Sequence, residues 1–300
     1  MSAIVPGSDM PIPVNPAVPA KRVLLLSHRA PEVVQSGLEA IISILEEAGV
    51  EILVPASEVV KHRMLAPYQS SDGKLLRPGG EDLILVLGGD GSILRALARE
   101  AGSGAPVIGV NYGRVGFLAS IERETLERDL RRALAGEYVV LGLPSLSAEW
   151  SDGEVRALND LALLRSGESR LADLTYAVDG ERVATVRCDG MILSTPVGST
   201  AYNLAAGGPT VSWRVRCMVI SFIAAFHLDT RPLVIGAEEL LTVTNSAISG
   251  DCDVLADGQR IGALRPGRSI TVGLGGRQVH LATFPEASFF RRYREKFGRP

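Results

Sequence analysis

Along the first half of the chain, short unbroken apolar runs alternate with longer stretches whose apolar residues recur every three or four positions. The runs read as strands covered on both faces, and the periodic stretches as helices with one buried face. Strands are expected at Arg22–Ser27, Val50–Val54, Asp82–Leu87 and Pro106–Val110. Helices are expected at Pro31–Ala48, stopping before Gly49, at Ser92–Ala101 and at Arg123–Ala135. The segment Ser57–Gly80 shows neither period and receives no assignment. Strand and helix in this rhythm imply a mostly parallel sheet with crossover helices.

The pattern changes after Gly136, where short β-rich runs dominate. Asp-Gly pairs at Asp152-Gly153, Asp179-Gly180 and Asp257-Gly258 separate alternating runs, and both residues of such a pair tolerate positive φ, so they signal hairpins. The expected class is α/β, with an N-terminal Rossmann-like parallel α/β domain at 21–137 and a C-terminal β-rich, β-sandwich-like domain at 138–285. A final helix, Ala287–Phe297 within 286–300, is expected to pack back on the first domain. Residues 1–20 carry Pro6, Pro11, Pro13, Pro16 and Pro19 with no basic stretch before an apolar run, which reads as a mobile extension and not a secretion signal.

A net charge of −3 leaves no basic excess for a nucleic acid or a membrane surface. Arg291, Arg292, Arg294 and Lys296 do cluster, and read as the solvated face of the last helix. Cys188, Cys217 and Cys252 are far apart, as are His28, His62, His227 and His280, so no protein-only metal cage is expected. An odd cysteine count without a leader fits a reducing, cytoplasmic setting. The apolar stretch Cys217–Leu228, bracketed by Arg216 and Asp229, is too short to cross a bilayer, which takes about 20 residues.

Leu83–Leu87 runs directly into Gly88-Gly89-Asp90-Gly91, and Ser92 opens the next helix. Glycines at such a junction let a ligand approach the backbone, where free N–H groups and the helix dipole favour a phosphate. No Gly-Lys-Ser/Thr follows, so this is not a Walker loop. A carboxylate inside a phosphate-accepting turn is costly unless it does chemistry or binds a cation. Asp90 can accept a proton from an attacking hydroxyl or help hold a divalent ion. The turn resembles that of a kinase superfamily including NAD kinases, diacylglycerol and sphingoid lipid kinases and, more distantly, phosphofructokinases. It points to a kinase without naming the acceptor.

The acceptor comes from a second segment. Asp189-Gly190 leads an apolar strand, Met191–Leu193, into Thr195-Pro196-Val197-Gly198-Ser199-Thr200-Ala201-Tyr202, followed by Asn203 to Gly208 and Pro209. Small residues at 198–201 let a flat ring lie against the backbone, and Thr200 and Tyr202 offer hydroxyls. With this order and spacing the chain resembles the NAD kinase family from roughly Arg22 to Phe297. The resemblance implies transfer of a phosphoryl group from ATP, or another donor such as polyphosphate, to the adenosine-ribose 2′-hydroxyl of NAD, giving NADP, with magnesium accompanying the donor.

By that resemblance Asp90 is the proton acceptor, with Gly91 beside it and Arg95 facing the nucleotide. Gly88, Gly89, Gly91 and Ser92 seat the donor phosphates, with Asn111 and Arg114 from the similar segment Asn111–Leu118. Asn159 and Asp160 hold dinucleotide hydroxyls, and Arg170, Arg187 and Asp189 lie around the dinucleotide. Thr200, Ala201, Tyr202, Asn203, Leu204 and Ala205 form the adenine-binding stretch, and Gln259 is a further ligand position. A homodimer or homotetramer is also implied. The chain departs from the family at Trp213, where proline is usual, at Phe222–His227, where a Pro-x-x-Pro-His-like segment is usual, and mildly at Ser92. A lipid kinase and a non-catalytic dinucleotide-binding module stay open as alternatives.

Overall fold

The computed structural model describes residues 19–28, 30–70, 82–99, 101, 103–113, 116–150, 153–167 and 171–298. Nearly all of the Pro-rich extension lies outside these residues, as do Asp152, Arg114 and Arg170. The chain forms two compact units, one comprising Leu143–Gln278 and the other the described residues of 19–142 and 279–298.

In the first unit the chain runs β1 (Arg22–Ser27), α1 (Gln35–Glu47), β2 (Glu51–Leu53), α2 (Ala56–Lys61), β3 (Asp82–Gly88), α3 (Asp90–Arg99), β4 (Val107–Asn111) and α4 (Leu126–Leu134). The strands are parallel in the order β2-β1-β3-β4. Successive side chains leave a strand on opposite faces. Val23, Leu25, Leu83, Leu85, Ile108 and Val110 accordingly join one buried cluster with Leu38, Ile41 and Leu45 of α1 and Leu130 and Ala133 of α4. On the opposite face α3 comes so close to β4 that a Cβ on Gly109 would lie 2.2 Å from Ile93 Cδ1.

Of the boundaries that differ from the periodicity reading, three have a local reason. Pro31–Val33 is a separate 3-10 turn, and Val34 at φ −117° breaks it from α1. Arg123–Thr125 is likewise a 3-10 turn before α4, broken at Thr125. The helix after the glycines begins at Asp90, two residues before the expected start, which puts the carboxylate in the helix's first turn, where the dipole favours it. Within the unassigned stretch, α2 buries only Glu58, so no apolar period marks it.

The second unit holds β5 (Val139–Trp150), which carries the chain in from the first, β6 (Gly153–Ala157), β7 (Asp160–Arg165), β8 (Ala172–Val178), β9 (Glu181–Cys188), β10 (Gly190–Ser194), α5 (Tyr202–Ala205), β11 (Cys217–Ile223), β12 (Leu233–Gly236), β13 (Leu241–Asn245), β14 (Cys252–Ala256) and β15 (Gln259–Leu264). Six strands form an antiparallel sheet in the order β12-β11-β10-β7-β14-β15. A second antiparallel set pairs β9 with β8, β8 with β13, and β13 with the start of β16 (Ser269–Thr283). Alternate residues of both sets meet in one core, Leu174, Tyr176, Val243 and Ile270 from one and Met191, Leu193, Ile220 and Val254 from the other. Asp179 and Asp257 take φ 47° and 46°, each followed by a glycine with positive φ, as the Asp-Gly hairpin reading requires.

The end of β16 belongs to the first unit, where Leu281 pairs with Val107 of β4. The last helix, α6 (Phe289–Phe297), lies in that same unit and is capped by Ser288 Oγ. Its basic residues are not all solvated. Arg292 is 5% exposed, which corrects the reading of the cluster as a surface face. No helix of the described residues is long and apolar enough to cross a membrane.

Candidate active site

The glycine turn lies at the carboxyl end of β3, the usual place for ligands in a parallel sheet. Close backbone approach explains its composition. A Cβ on Gly89 would lie 3.2 Å from Gly113 Cα, and one on Gly88 would lie 2.6 Å from the Ser92 side chain. Tyr112 N donates to Gly88 O (3.1 Å), which fixes the loop after β4 against the turn. Asp90 is half-buried, and its two oxygens accept the backbone N–H groups of Phe117 and Leu118, both at 2.9 Å. The carboxylate is therefore aimed by the main chain of a second segment and by the start of α3.

Asn111 is buried and its amide shapes that second segment: Oδ1 accepts from Gly113 N (3.0 Å), and Nδ2 donates to Glu122 Oε2 (3.0 Å). Arg95 Nη2 donates to Ser92 Oγ (3.0 Å). Arg95, Ser92, Arg99, Lys61 and Glu58 line an open cavity of about 330 Å3. Its three cations against one carboxylate suit an anionic ligand.

In the β-rich unit, Asn159, Asp160 and the 195–199 stretch are brought together. Thr195 N donates to Asn159 O (2.9 Å), and Thr195 Oγ1 donates to Leu158 O (2.6 Å) and accepts from Gly198 N (3.0 Å). A Cβ on Gly198 would stand 2.0 Å from Asn159 O, so only glycine fits this approach. One side chain not singled out from the sequence organises the cluster. The Asp257 carboxylate accepts from Leu158 N (2.9 Å), Asn159 N (2.7 Å) and Asp160 N (3.2 Å). Its Asp-Gly turn was legible as a hairpin; the carboxylate's use was not, because it depends on a segment about a hundred residues earlier.

The adenine stretch divides by exposure. Tyr202 and Ala205 are exposed, and Thr200, Ala201 and Leu204 are half-buried. Asn203 is fully buried: Nδ2 donates to Ser199 O and Pro209 O, both at 3.0 Å, and Oδ1 accepts from Ser221 Oγ (2.7 Å). Its amide thus ties the turn to β11. Arg187 pairs with Asp173 (2.8 Å) and Asp189 with Arg165 (2.7 Å). Gln259 opens β15 and is exposed. At the departing segment, Phe222 packs on Tyr176 with ring centroids 5.8 Å apart, so that aromatic is part of the core, while Phe226 is exposed. Trp213 is buried.

Residues 26–138 match the family described as the ATP-NAD kinase N-terminal domain, and residues 158–284 match the ATP-NAD kinase C-terminal domain. Over 286 residues the chain is 34% identical to the NAD kinase of Symbiobacterium thermophilum, covering 93% of this chain and 99% of that one. The chain belongs to the NAD kinase family. It is also 38% identical to the NAD kinase of Leifsonia xyli, over 76% of this chain and 77% of the relative. Among solved structures, an NAD kinase from Archaeoglobus fulgidus in complex with ATP matches with a TM-score of 0.70 at 28% identity, covering 92% of this chain and 97% of that one. Yeast NADH kinase complexed with NADH matches in fold, with a TM-score of 0.77 at 21% identity and coverage of 93% and 88%. The family sets aside the lipid-kinase and non-catalytic alternatives: the chain is a phosphotransferase that uses ATP to phosphorylate NAD.

Within this kinase Asp160 carries an unusual charge state. It is 4% exposed, and burial, with the nearby Asp257 charge as a second cause, pushes its carboxyl up to about 7. The unfolded chain releases that proton near pH 3.8, while the folded chain keeps it until about 7. Between those values the unfolded state binds fewer protons, so stability falls as pH rises, by about 4 kcal/mol at most. Thermal melts from pH 4 to pH 8 should show this decline and Asp160→Asn should flatten it. A variant whose curve runs parallel to the wild type would show that Asp160 is not its source.

Proposed function

We propose that Asp90 accepts the proton of the adenosine-ribose 2′-hydroxyl as the γ-phosphoryl group of ATP passes to NAD. The observation that carries this reading is a carboxylate in a glycine turn at the end of a parallel strand, aimed by two backbone N–H groups. Phosphoryl transfer has a loose transition state, so catalysis rests on positioning and charge neutralisation. Gly88, Gly89, Gly91 and Ser92 seat the donor phosphates at the start of α3, where the helix dipole favours an anion, with Arg95 and Arg114 supplying positive charge. Asn111 acts by shaping the loop. Thr200, Ala201, Tyr202, Leu204 and Ala205 hold the adenine, and Asn203 keeps that turn in place. Asn159 and Asp160 hold dinucleotide hydroxyls, and Arg170, Arg187, Asp189 and Gln259 contribute polar contacts.

Among the described residues no three His, Cys, Asp or Glu side chains gather into a metal cage. Magnesium is proposed to arrive with the donor, where it would neutralise phosphate charge. The free, buried thiols Cys188, Cys217 and Cys252 support a reducing, cytoplasmic setting, and a homodimer or homotetramer is the proposed assembly. A coupled assay of NADP formation, crossing ATP and polyphosphate with NAD and NADH, tests the assignment of donor and acceptor. Product with ATP and NAD is expected; product with polyphosphate alone would overturn the donor assignment.

A further inference from the structure

We propose that Arg292, on the C-terminal helix, is a positioning residue for Asp90, acting through the Phe117–Leu118 peptide that lies between them. The inference rests on the reading of Asp90 as the proton acceptor. Arg292 Nη1 donates to Phe117 O (2.5 Å) and also to Ala119 O. Nη2 donates to Ser120 Oγ (3.1 Å) and Thr283 Oγ1 (2.8 Å), and Nε to Ala287 O (3.2 Å). A guanidinium has five N–H donors in a fixed planar fork, and these five bonds account for all of them.

Phe117 C=O and Leu118 N–H belong to the same peptide group. The cation donates to that peptide's oxygen, and its N–H donates to Asp90 Oδ1 (2.9 Å). A peptide held between a cation and an anion is polarised by both, which strengthens the two bonds together. Arg292 and Asp90 thus form an ion pair with one peptide interposed. The loop is further gripped by α6 through Phe117, whose ring centroid lies 5.6 Å from that of Phe297 and 6.4 Å from that of Phe289. Ile121 N, one peptide beyond those whose carbonyls Arg292 holds, is bonded to Gly109 O (3.0 Å).

Burial lowers Arg292 only to about 10, with Asp90, Glu122 and Glu295 opposing the shift, so it stays cationic at neutral pH. Charged groups around the pair include Arg95 on α3, Glu122 and Arg123 after the loop, Arg128 and Asp129 on α4, Glu286 before α6, and Arg291, Glu295 and Lys296 on α6. Glu122 and Glu295 add negative charge, so removing Arg292 takes a positive charge from beside the peptide that holds Asp90 while those carboxylates remain.

The experiment compares wild type, Arg292→Met, Arg292→Lys and Asp90→Asn for kcat, KM for NAD, the pH profile of kcat, and amide hydrogen exchange. Arg292→Met should lower plateau kcat by about tenfold and move the acidic limb to higher pH by roughly half to one unit, with KM for NAD within about twofold. Phe117 and Leu118 amides should exchange faster while Ile121 does not. Arg292→Lys, which keeps the charge but not the fork, should recover part of both kinetic changes. A folded Arg292→Met enzyme with wild-type plateau and limb overturns the proposal. Where that variant does not fold, Arg292→Lys decides: a plateau loss beyond about threefold or a shifted limb supports the relay, and a wild-type profile overturns it. Asp90→Asn separates the two readings. If it stays active the base assignment fails, whereas an inactive Asp90→Asn beside an unmoved Arg292 profile sinks only the relay.

Discussion

Replacing Asp90 by asparagine lowers turnover by about a hundredfold or more, while NAD affinity stays within about twofold. The substitution removes the proton acceptor without changing side-chain volume. It also changes how the loop is held. The two carboxylate oxygens accept N–H groups from Phe117 and Leu118, and an asparagine can offer an acceptor to only one of them. The other N–H then meets an NH2 donor, at a cost of roughly 1–3 kcal/mol if the pair stays buried. A lower melting temperature is therefore expected together with the kinetic loss. Calorimetric titration with NAD separates the two effects, because a folded variant that binds but does not turn over has lost chemistry and not the dinucleotide site. Turnover within about threefold of wild type would falsify the assignment of the base.

The same carboxylate shows what could be read from the sequence and what could not. The run Leu83–Leu87 into two glycines was legible because a doubly covered strand and a close-approach turn both leave marks on composition. The alternation that puts Leu174 and Tyr176 in one core and the Asp-Gly turns at 179 and 257 were legible for the same local reasons. Partners distant in sequence were not. Nothing near Asp90 announces Phe117 and Leu118, and nothing near Arg292 distinguishes it from Arg291 or Arg294 on the same helix. Its burial follows from the backbone carbonyls it meets at 117 and 119, which no residue type encodes. Asn203 is a subtler case. Its place in the adenine stretch was visible, but its amide is bonded to Ser199, Pro209 and Ser221, so the residue shapes the turn that its neighbours present. Helix α2 escaped because a six-residue helix that buries a glutamate carries no apolar period.

Asp257→Gly should cost about 3 kcal/mol of stability and raise KM for NAD by about tenfold, with a smaller effect on kcat. Glycine is the informative replacement because Asp257 sits at φ 46°, where most side chains are strained and glycine is not. Beyond about 1 kcal/mol for glycine's extra freedom in the unfolded chain, the loss then comes from the carboxylate, whose two oxygens collect the N–H groups of Leu158, Asn159 and Asp160. Hydrogen bonds to a charged acceptor contribute roughly 1.5–3 kcal/mol each, but three on one group are not additive, and water can replace part of them at a half-buried turn. The Asn159 carbonyl also receives Thr195 N, so loosening 158–160 loosens the entry to the Gly198 turn. The substitution further removes the second cause of Asp160's raised titration, so the decline of stability between pH 4 and pH 7 should shrink without vanishing, since burial remains the larger cause. Melting curves across pH and steady-state kinetics on the glycine variant measure both effects. A variant with wild-type KM and an unchanged pH slope would show that the turn supports neither the dinucleotide segment nor the charge state of Asp160.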